Sequence, residues 1–180
     1  VYTLSIVDTN NCSAEDRVWV YVKPLPVANA GPDTEICLND STTLGATGGV
    51  HYSWIPTGDT TQFLLVKPSS STNYIVEVTD AFGCQDTDLV HVTVHNLPLV
   101  NSGADRAICF GESDTLRASS GPFTYSWNPG SGTTQNIAIA PDTSTSYIVH
   151  VIDTNGCEAQ DTIRITVHPL PIANAGPDLF

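Results

Sequence analysis

Hydrophobic residues occupy every second position along several short stretches of the chain. Tyr74, Val76 and Val78 share one face of an extended segment, and a second alternating stretch follows a few residues later. This pair of stretches occurs three times. The positions expected to face inward are Tyr2, Leu4, Ile6, Val18, Val20, Val22, Tyr74, Val76, Val78, Val90, Val92, Val94, Tyr147, Val149, Val151, Ile163, Ile165 and Val167. Turn sequences such as Asp80–Gly83 and Asp153–Gly156 lie between the paired stretches, so each pair predicts a β-hairpin.

The hairpins belong to a longer internal repeat. The sequence Pro-Leu-Pro-Val-Ala-Asn-Ala-Gly-Pro-Asp at 24–33 returns in diverged form at 96–105 and almost unchanged at 169–178. Other landmarks recur 72 or 73 residues apart, namely Asp33/Asp105/Asp178, Tyr2/Tyr74/Tyr147, Cys12/Cys84/Cys157, Cys37/Cys109 and Trp54/Trp127. Agreement at so many positions establishes the repeat.

The register of the repeat predicts the domain organisation. Residues 24–95 and 96–168 form two complete repeats, whereas 1–23 match only the C-terminal part of one. Residues 169–180 match only the opening strand of another. Because the chain begins at Val1 and both ends fall inside a repeat, we expect it to be an internal window of a longer array.

Each complete repeat predicts an all-β fold. About seven short strands fall within one period, and no stretch combines helical spacing with capping residues. This pattern is typical of a small antiparallel Ig-like sandwich. Trp54 and Trp127 are expected in the core on the third strand, and Tyr74 and Tyr147 at a tyrosine corner. Trp19 falls on the outward face, where it is available to a ligand or partner domain.

Composition narrows the class of protein. A formal net charge of −13 argues against nucleic-acid binding and against docking on anionic membranes. The apolar runs are too short for a membrane span, and 41% hydrophobic residues suffice for a core. Few charged residues and abundant Thr and Ser indicate an extracellular β protein.

The five cysteines follow the repeat. Each complete repeat carries two, which favours the pairs Cys37–Cys84 and Cys109–Cys157, with the partner of Cys12 outside the chain. In a plain Ig topology, however, the two cysteines of one repeat lie near opposite ends of the sandwich, too far apart for a bond. The alternative is a bond between Cys37 and Cys157, from one repeat to the next.

The polar residues raise two kinds of chemistry, catalysis and calcium binding. None of the histidines at 51, 91, 95, 150 and 168 forms a catalytic motif, so we expect no enzyme. Oxygen-rich junctions between sandwiches can hold calcium, and the candidate ligands are Asp33, Asp80, Asp86, Asp105, Asp153 and Asp161, with Asp178 as a further copy. The favoured interpretation is that these aspartates form turns and keep the surface soluble, so we expect no cofactor, with calcium as the alternative.

Several of these motifs together resemble a known family. The relevant segments are Ala28–Asp33, Ile36–Cys37, Thr43–Leu44, Tyr52–Trp54, Tyr74–Asp80 and Gly83–Cys84. They are similar to the PKD-like and Ig-like repeats of large Bacteroidota surface proteins that the type IX pathway secretes, among them gliding-motility adhesins. The resemblance implies a cell-surface stalk or spacer. It also implies that Ser41, Thr60, Thr115 and Thr162, each after an aspartate, are candidate O-glycosylation sites.

We therefore expect a structural or adhesive repeat array, a stalk or fibre of a secreted or surface-anchored bacterial protein. Its partners are neighbouring repeats, with other copies in a fibre or surface glycans and proteins as further candidates. One alternative is a non-catalytic, glycan-binding accessory module of a secreted hydrolase. Another is a subunit of a self-assembling extracellular filament.

Overall fold

The computed structural model describes residues 1–130, 132–174 and 176. These residues form β-strands and turns without an α-helix, and so include no helix that could cross a membrane. The strands are β1 (Tyr2–Val7), β2 (Ser13–Val18), β3 (Thr34–Cys37), β4 (Thr42–Gly45), β5 (His51–Ile55), β6 (Phe63–Val66), β7 (Thr72–Thr79), β8 (Gln85–His95), β9 (Arg106–Cys109), β10 (Asp114–Arg117), β11 (Thr124–Asn128), β12 (Asn136–Ile139), β13 (Thr145–Ile152) and β14 (Glu158–His168).

Two six-strand sets share one topology. Strands β3, β8, β7 and β5 form a sheet in that order, and β4 pairs with β6. Strands β9, β14, β13 and β11 form the matching sheet, and β10 pairs with β12. The first strand of each set runs parallel to the last, as β3 with β8 and β9 with β14. The pairs β5–β7, β10–β12, β11–β13 and β13–β14 are antiparallel. An Ig sandwich likewise places its C, F and G strands in one sheet and B and E in the other, which confirms the predicted fold class.

The chain also divides into two compact units. The first comprises Val1–Pro32, Thr43–Leu65 and Asn73–Val90, and the second comprises Asp33–Thr42, Val66–Thr72 and the described residues from His91 onward. The repeat boundaries predicted at 23/24 and 95/96 differ from these divisions and remain a prediction. The described residues between 169 and 176 belong to no strand.

Every second side chain along the central strands is buried and contributes to a hydrophobic core. In the first six-strand set Trp54 is completely buried, and its indole Nε1 donates to the Thr61 carbonyl oxygen at 3.0 Å. In the second set Trp127 is buried and its Nε1 donates to the Thr134 carbonyl oxygen at 3.0 Å. The Trp127 cluster consists of Leu116, Ala118, Trp127, Ile139, Tyr147, Val149, Val151, Ile163 and Ile165. Because the indole N–H finds an acceptor, burial of each tryptophan leaves no polar group unpaired.

Tyr74 and Tyr147 are the third residues of β7 and β13, and their rings are turned inward. Their side chains are almost completely buried, and this desolvation raises the pKa of both phenols because the charged form loses hydration. Val76 and Val78 follow on the same face of β7 and are inaccessible to solvent.

The N-terminal hairpin departs from the predicted pattern. Strands β1 and β2 pair from Tyr2–Val18 to Val7–Ser13 as expected, yet every residue of both is exposed. Tyr2, Leu4 and Ile6 were expected to face inward, as were Val18, Val20 and Val22. The physical reason is that β1 and β2 form a two-stranded sheet of their own, and no second sheet of the described chain covers either face.

Truncating a core tryptophan should destabilise the fold strongly. We expect Trp127→Ala to lower the free energy of unfolding by about 3–5 kcal/mol, because it removes a buried ring and leaves a cavity. Guanidinium denaturation followed by far-UV circular dichroism measures the change. The matched control is Trp19→Ala, since the Trp19 side chain is 64% exposed and should change stability by less than about 0.5 kcal/mol. Equal effects of the two variants would contradict the assigned core.

Candidate functional site

Three hairpin turns present a cysteine in the same local geometry. In each, the amide of an aspartate donates to the carbonyl oxygen of the cysteine four residues later, at 2.9 Å in all three turns. The Oδ1 atom of that aspartate accepts the cysteine amide in return, at 2.8–2.9 Å, and the amide two residues after the aspartate at 2.8 Å. The aspartate–cysteine pairs are Asp8/Cys12, Asp80/Cys84 and Asp153/Cys157.

The residue before each cysteine makes this turn possible. Asn11, Gly83 and Gly156 have φ values of 64°, 83° and 82°, which only glycine and asparagine adopt at low cost. Amides from Cys12 and Asn10 also lower the pKa of Asp8, because they stabilise its carboxylate form.

A second pair of cysteines ends the first strand of each six-strand set. Cys37 pairs with His95 and Cys109 pairs with His168 in parallel register. The residue after each cysteine donates its amide to the paired histidine's carbonyl oxygen, at 2.8 Å for Leu38. The equivalent distance for Phe110 is 2.9 Å, so the chain leaves both strands in the same way.

The structure forms one disulfide among the described residues, between Cys37 and Cys157. Their Cα atoms are 5.5 Å apart, a normal separation for such a bond, and both residues lie in the second compact unit. Cys12, Cys84 and Cys109 carry free thiols. The preferred pairs Cys37–Cys84 and Cys109–Cys157 are therefore wrong, and the alternative pairing is the one found.

The topology gives the reason for this correction. Cys37 ends β3, which runs parallel to β8, and therefore lies beside His95 at the C-terminal end of β8. Cys84 immediately precedes Gln85, the first residue of β8, and therefore lies at its opposite end. Strand β8 has 11 residues and spans about 35 Å at the usual rise, far beyond the reach of a disulfide.

A polar groove lies beside the disulfide. Glu35, Asn39, Asp40, Ser41 and Asn155 contribute to its lining. The His95 imidazole also lines it, and its Nε2 lies 2.8 Å from the carboxylate of Glu35. This places an imidazole and a carboxylate in direct contact at the edge of the groove.

The aspartates proposed for calcium serve the backbone instead. Asp80 and Asp153 hold hairpin turns, and the carboxylates of Asp33 and Asp105 accept the amides of strand residues at 2.7 and 2.9 Å. Asp86 accepts the amide of a residue 58 positions earlier at 2.9 Å. Among the described residues no group of three His, Cys, Asp or Glu side chains is arranged to hold a metal ion. The proposed calcium ligands are thus not assembled, and Asp178 lies outside the described residues.

Asp161 makes the most buried of these contacts. Its Oδ2 accepts both the amide of Ser102 at 2.7 Å and the Ser102 hydroxyl at 2.8 Å, and Ser102 is fully buried. The Ser102 amide is the main cause of a lowered pKa at Asp161, against the opposing effect of burial. The equivalent contact in the preceding repeat joins Asp88 to the Ala30 amide at 2.8 Å. Asp88 was not among the candidates from the sequence, although it lies 73 residues before Asp161, one repeat spacing away.

The remaining predicted sites lie on the surface. Ser41, Thr60 and Thr162 are exposed, whereas Thr115 in β10 is half-buried. Trp19 stacks on Tyr21 with ring centroids 6.3 Å apart, and both rings are exposed. The accessibility of the first three residues suits O-glycosylation, and modification itself remains a prediction.

No protein-family model and no curated protein matches the chain. Solved structures of tandem Ig domains show a distant likeness. The insect immune protein hemolin is 13% identical, with a TM-score of 0.45 over 93% of this chain and 56% of hemolin. The first two Ig domains of DIP-gamma are 13% identical, with a TM-score of 0.38 over 81% of this chain and 98% of that one. Eight N-terminal Ig domains of the Down Syndrome Cell Adhesion Molecule give 15% identity and a TM-score of 0.35 over 92% and 27%. Any functional interpretation therefore rests on the residues of this chain.

Removing the disulfide should destabilise the protein. The bond links residues 120 positions apart, and a closed loop of that size contributes about 4–5 kcal/mol in the chain-entropy model. We expect Cys37→Ser to lower the free energy of unfolding by this order, as measured by guanidinium denaturation under non-reducing conditions. Cys109→Ser is the control, because Cys109 is a free, exposed thiol at the equivalent position. A Cys37→Ser variant as stable as that control would contradict the pairing.

Asp161 should make stability depend on acid pH. Because its folded pKa lies below the usual value of 3.8, its contribution is present above that value and is lost as pH falls through the folded pKa. At pH 7 we expect Asp161→Ala to cost about 1–3 kcal/mol, since it leaves the buried Ser102 without its acceptor.

Urea denaturation at pH 7 and at pH 2.5 tests this dependence. The difference between the parent chain and Asp161→Ala should shrink at the lower pH. The exposed Asp142 provides the control, because Asp142→Ala should be neutral at both pH values. A difference between parent and Asp161→Ala that does not change with pH would refute the assignment.

Proposed function

We propose that the chain is part of a structural array of Ig-like repeats, a stalk or fibre in a large secreted or surface-anchored bacterial protein. The observation that carries the proposal is the Cys37–Cys157 bond. The repeat register assigns these cysteines to two successive repeats, so the bond joins one repeat covalently to the next. A covalent link of this kind suits a protein that bears load along its length.

The surface and the linkers agree with this role. A net charge of −13 spread over the repeats keeps such an array soluble and self-repelling. Pro24 and Pro26 open one repeat, and Pro169 and Pro171 occupy the same positions after residue 168. Proline fixes φ and stiffens a connection toward an extended conformation.

The resemblance noted from the sequence supports the finer parts of the proposal. PKD-like and Ig-like repeats of Bacteroidota surface proteins suggest export by the type IX pathway and an extracellular location. Neighbouring repeats are then the principal partners, and surface glycans or proteins would be contacted elsewhere in the whole protein. Calcium is not part of the proposal, because the described aspartates accept backbone amides instead.

One observation favours a second candidate function. The stacked rings of Trp19 and Tyr21 are 64% and 76% exposed, and exposed aromatic faces of this kind stack against sugars. A glycan-binding accessory module would use such a surface. The two functions differ in a measurable way, because the first requires mechanical strength and the second requires saturable carbohydrate binding.

Single-molecule force spectroscopy on the full chain, held by its two ends, tests the structural role. With the disulfide intact, the residues between Cys37 and Cys157 should resist extension, which shortens the final contour length by about 400 Å relative to the reduced chain. Cys37→Ser should give the longer extension without reductant, whereas Cys109→Ser should keep the shorter one. Oxidised and reduced chains of equal extension would refute a load-bearing bond.

A glycan array distinguishes the second candidate. The structural role predicts no saturable binding by the parent chain. Saturable binding that disappears in Trp19→Ala, while the circular dichroism spectrum is retained, would support the accessory module and overturn the structural proposal. Negative-stain electron microscopy of the same preparation shows whether the chain forms filaments through non-covalent contacts, the third interpretation.

A further inference from the structure

Cys109 lies in the same local geometry as the disulfide-bonded Cys37. Cys109 ends β9 as Cys37 ends β3, and each pairs in parallel with the last residue of the neighbouring strand. The carbonyl oxygen of Cys109 accepts the Glu112 amide at 3.0 Å, and that of Cys37 accepts the Asp40 amide at 2.9 Å. Two positions after each cysteine, Gly111 and Asn39 have positive φ values of 86° and 76°. The Cys109 thiol is thus held on a copy of the turn that carries Cys37.

Cys84 and Cys12 reproduce the other half of the bond. Each lies in a hairpin turn of the same kind as the turn that holds Cys157. Each cysteine amide donates to an aspartate four residues earlier, and each preceding residue has a positive φ. The free thiols therefore fall into two classes. Cys109 is of the strand-end class, and Cys84 and Cys12 are of the hairpin class. The bond that exists joins one member of each class.

We propose that Cys109 forms the same bond with a hairpin cysteine, Cys84 or Cys12, of a second copy of this chain. Because one molecule carries a free cysteine of each class, bonds between unlike classes can continue from chain to chain. Cys109 and Cys12 are exposed and Cys84 is half-buried, so Cys12 is the more accessible partner.

Bond formation requires an electron acceptor, for which a low-molecular-weight disulfide suffices. It exchanges with one protein thiolate to give a mixed disulfide and one small thiol. The thiolate of the partner cysteine then attacks the protein sulfur of the mixed disulfide and releases a second small thiol. Two protein thiols and one small disulfide thus become one protein disulfide and two small thiols, with two electrons and two protons transferred.

This inference rests on the proposed structural role. Its test measures which cysteines are bonded and not mechanical strength, so the bond and the structural role can be refuted separately. The full chain is incubated at high concentration in a buffer of reduced and oxidised glutathione. Half of the molecules carry ¹⁵N, so that linked peptides of mixed isotope composition identify bonds between copies. A non-reducing gel and peptide mapping follow.

We expect a ladder of oligomers that collapses on reduction. Mixed-isotope peptides linking Cys109 to Cys84 or Cys12 should be in about tenfold excess over Cys109–Cys109 and over bonds within the hairpin class, because local geometry selects the pair. Cys109→Ser should abolish the ladder, and so should the double variant Cys84→Ser/Cys12→Ser, while the Cys37–Cys157 peptide persists in both.

The same chain oxidised in denaturant is the matched control and should give all pairings without preference. Two results would overturn the proposal. One is a folded chain that yields like-class pairs as often as mixed pairs. The other is a folded chain that remains monomeric in the glutathione buffer, with Cys109 still a free thiol or bonded to glutathione alone.

Discussion

Hydrogen bonds from backbone amides to aspartate carboxylates fix the turns on which the rest of this structure depends. Such amides must find an acceptor where strands end, and a carboxylate accepts several at once. Asp80 and Asp153 close the hairpins in this way, and Asp33 and Asp105 bind the last strand of each set. The same contacts orient the cysteines, so the cross-link depends on the turn chemistry.

The cores are small, and this shapes how the molecule is stabilised. Each six-strand set buries one tryptophan, one tyrosine and a limited number of aliphatic side chains between a four-stranded and a two-stranded sheet. Small β-sandwiches of this size gain from a covalent constraint on the unfolded chain. A bond across 120 residues supplies more of that constraint than a bond within one repeat would, because the closed loop is longer.

The predictions from sequence succeeded where the signal was local. Alternation located β7 and β8, the turn sequences Asp80–Gly83 and Asp153–Gly156 marked two hairpins, and the recurrence of Trp54 as Trp127 located both cores. The predictions failed where the burial or pairing of a residue depended on contacts with strands distant in the sequence. The alternating residues of β1 and β2 have the pattern of buried strands but lack a covering sheet. The aspartates that were alternative calcium ligands accept backbone amides, within their own turn for Asp80 and Asp153 and from residues about 58 positions away for Asp33 and Asp105.

The sequence by itself determined the repeat, the strand pattern, the fold class and the identity of the residues able to cross-link. These follow from side-chain periodicity and from turn residues, which act within a few positions of the chain. Only the tertiary structure decided which cysteines bond and that the carboxylates of Asp88 and Asp161 accept amides from residues about 58 positions earlier. Both depend on which strand ends lie together, and in a parallel pairing such as β3 with β8 that is set by contacts between residues about 60 positions apart. The distance between two cysteines depends on the folded topology, and their separation along the chain does not predict it.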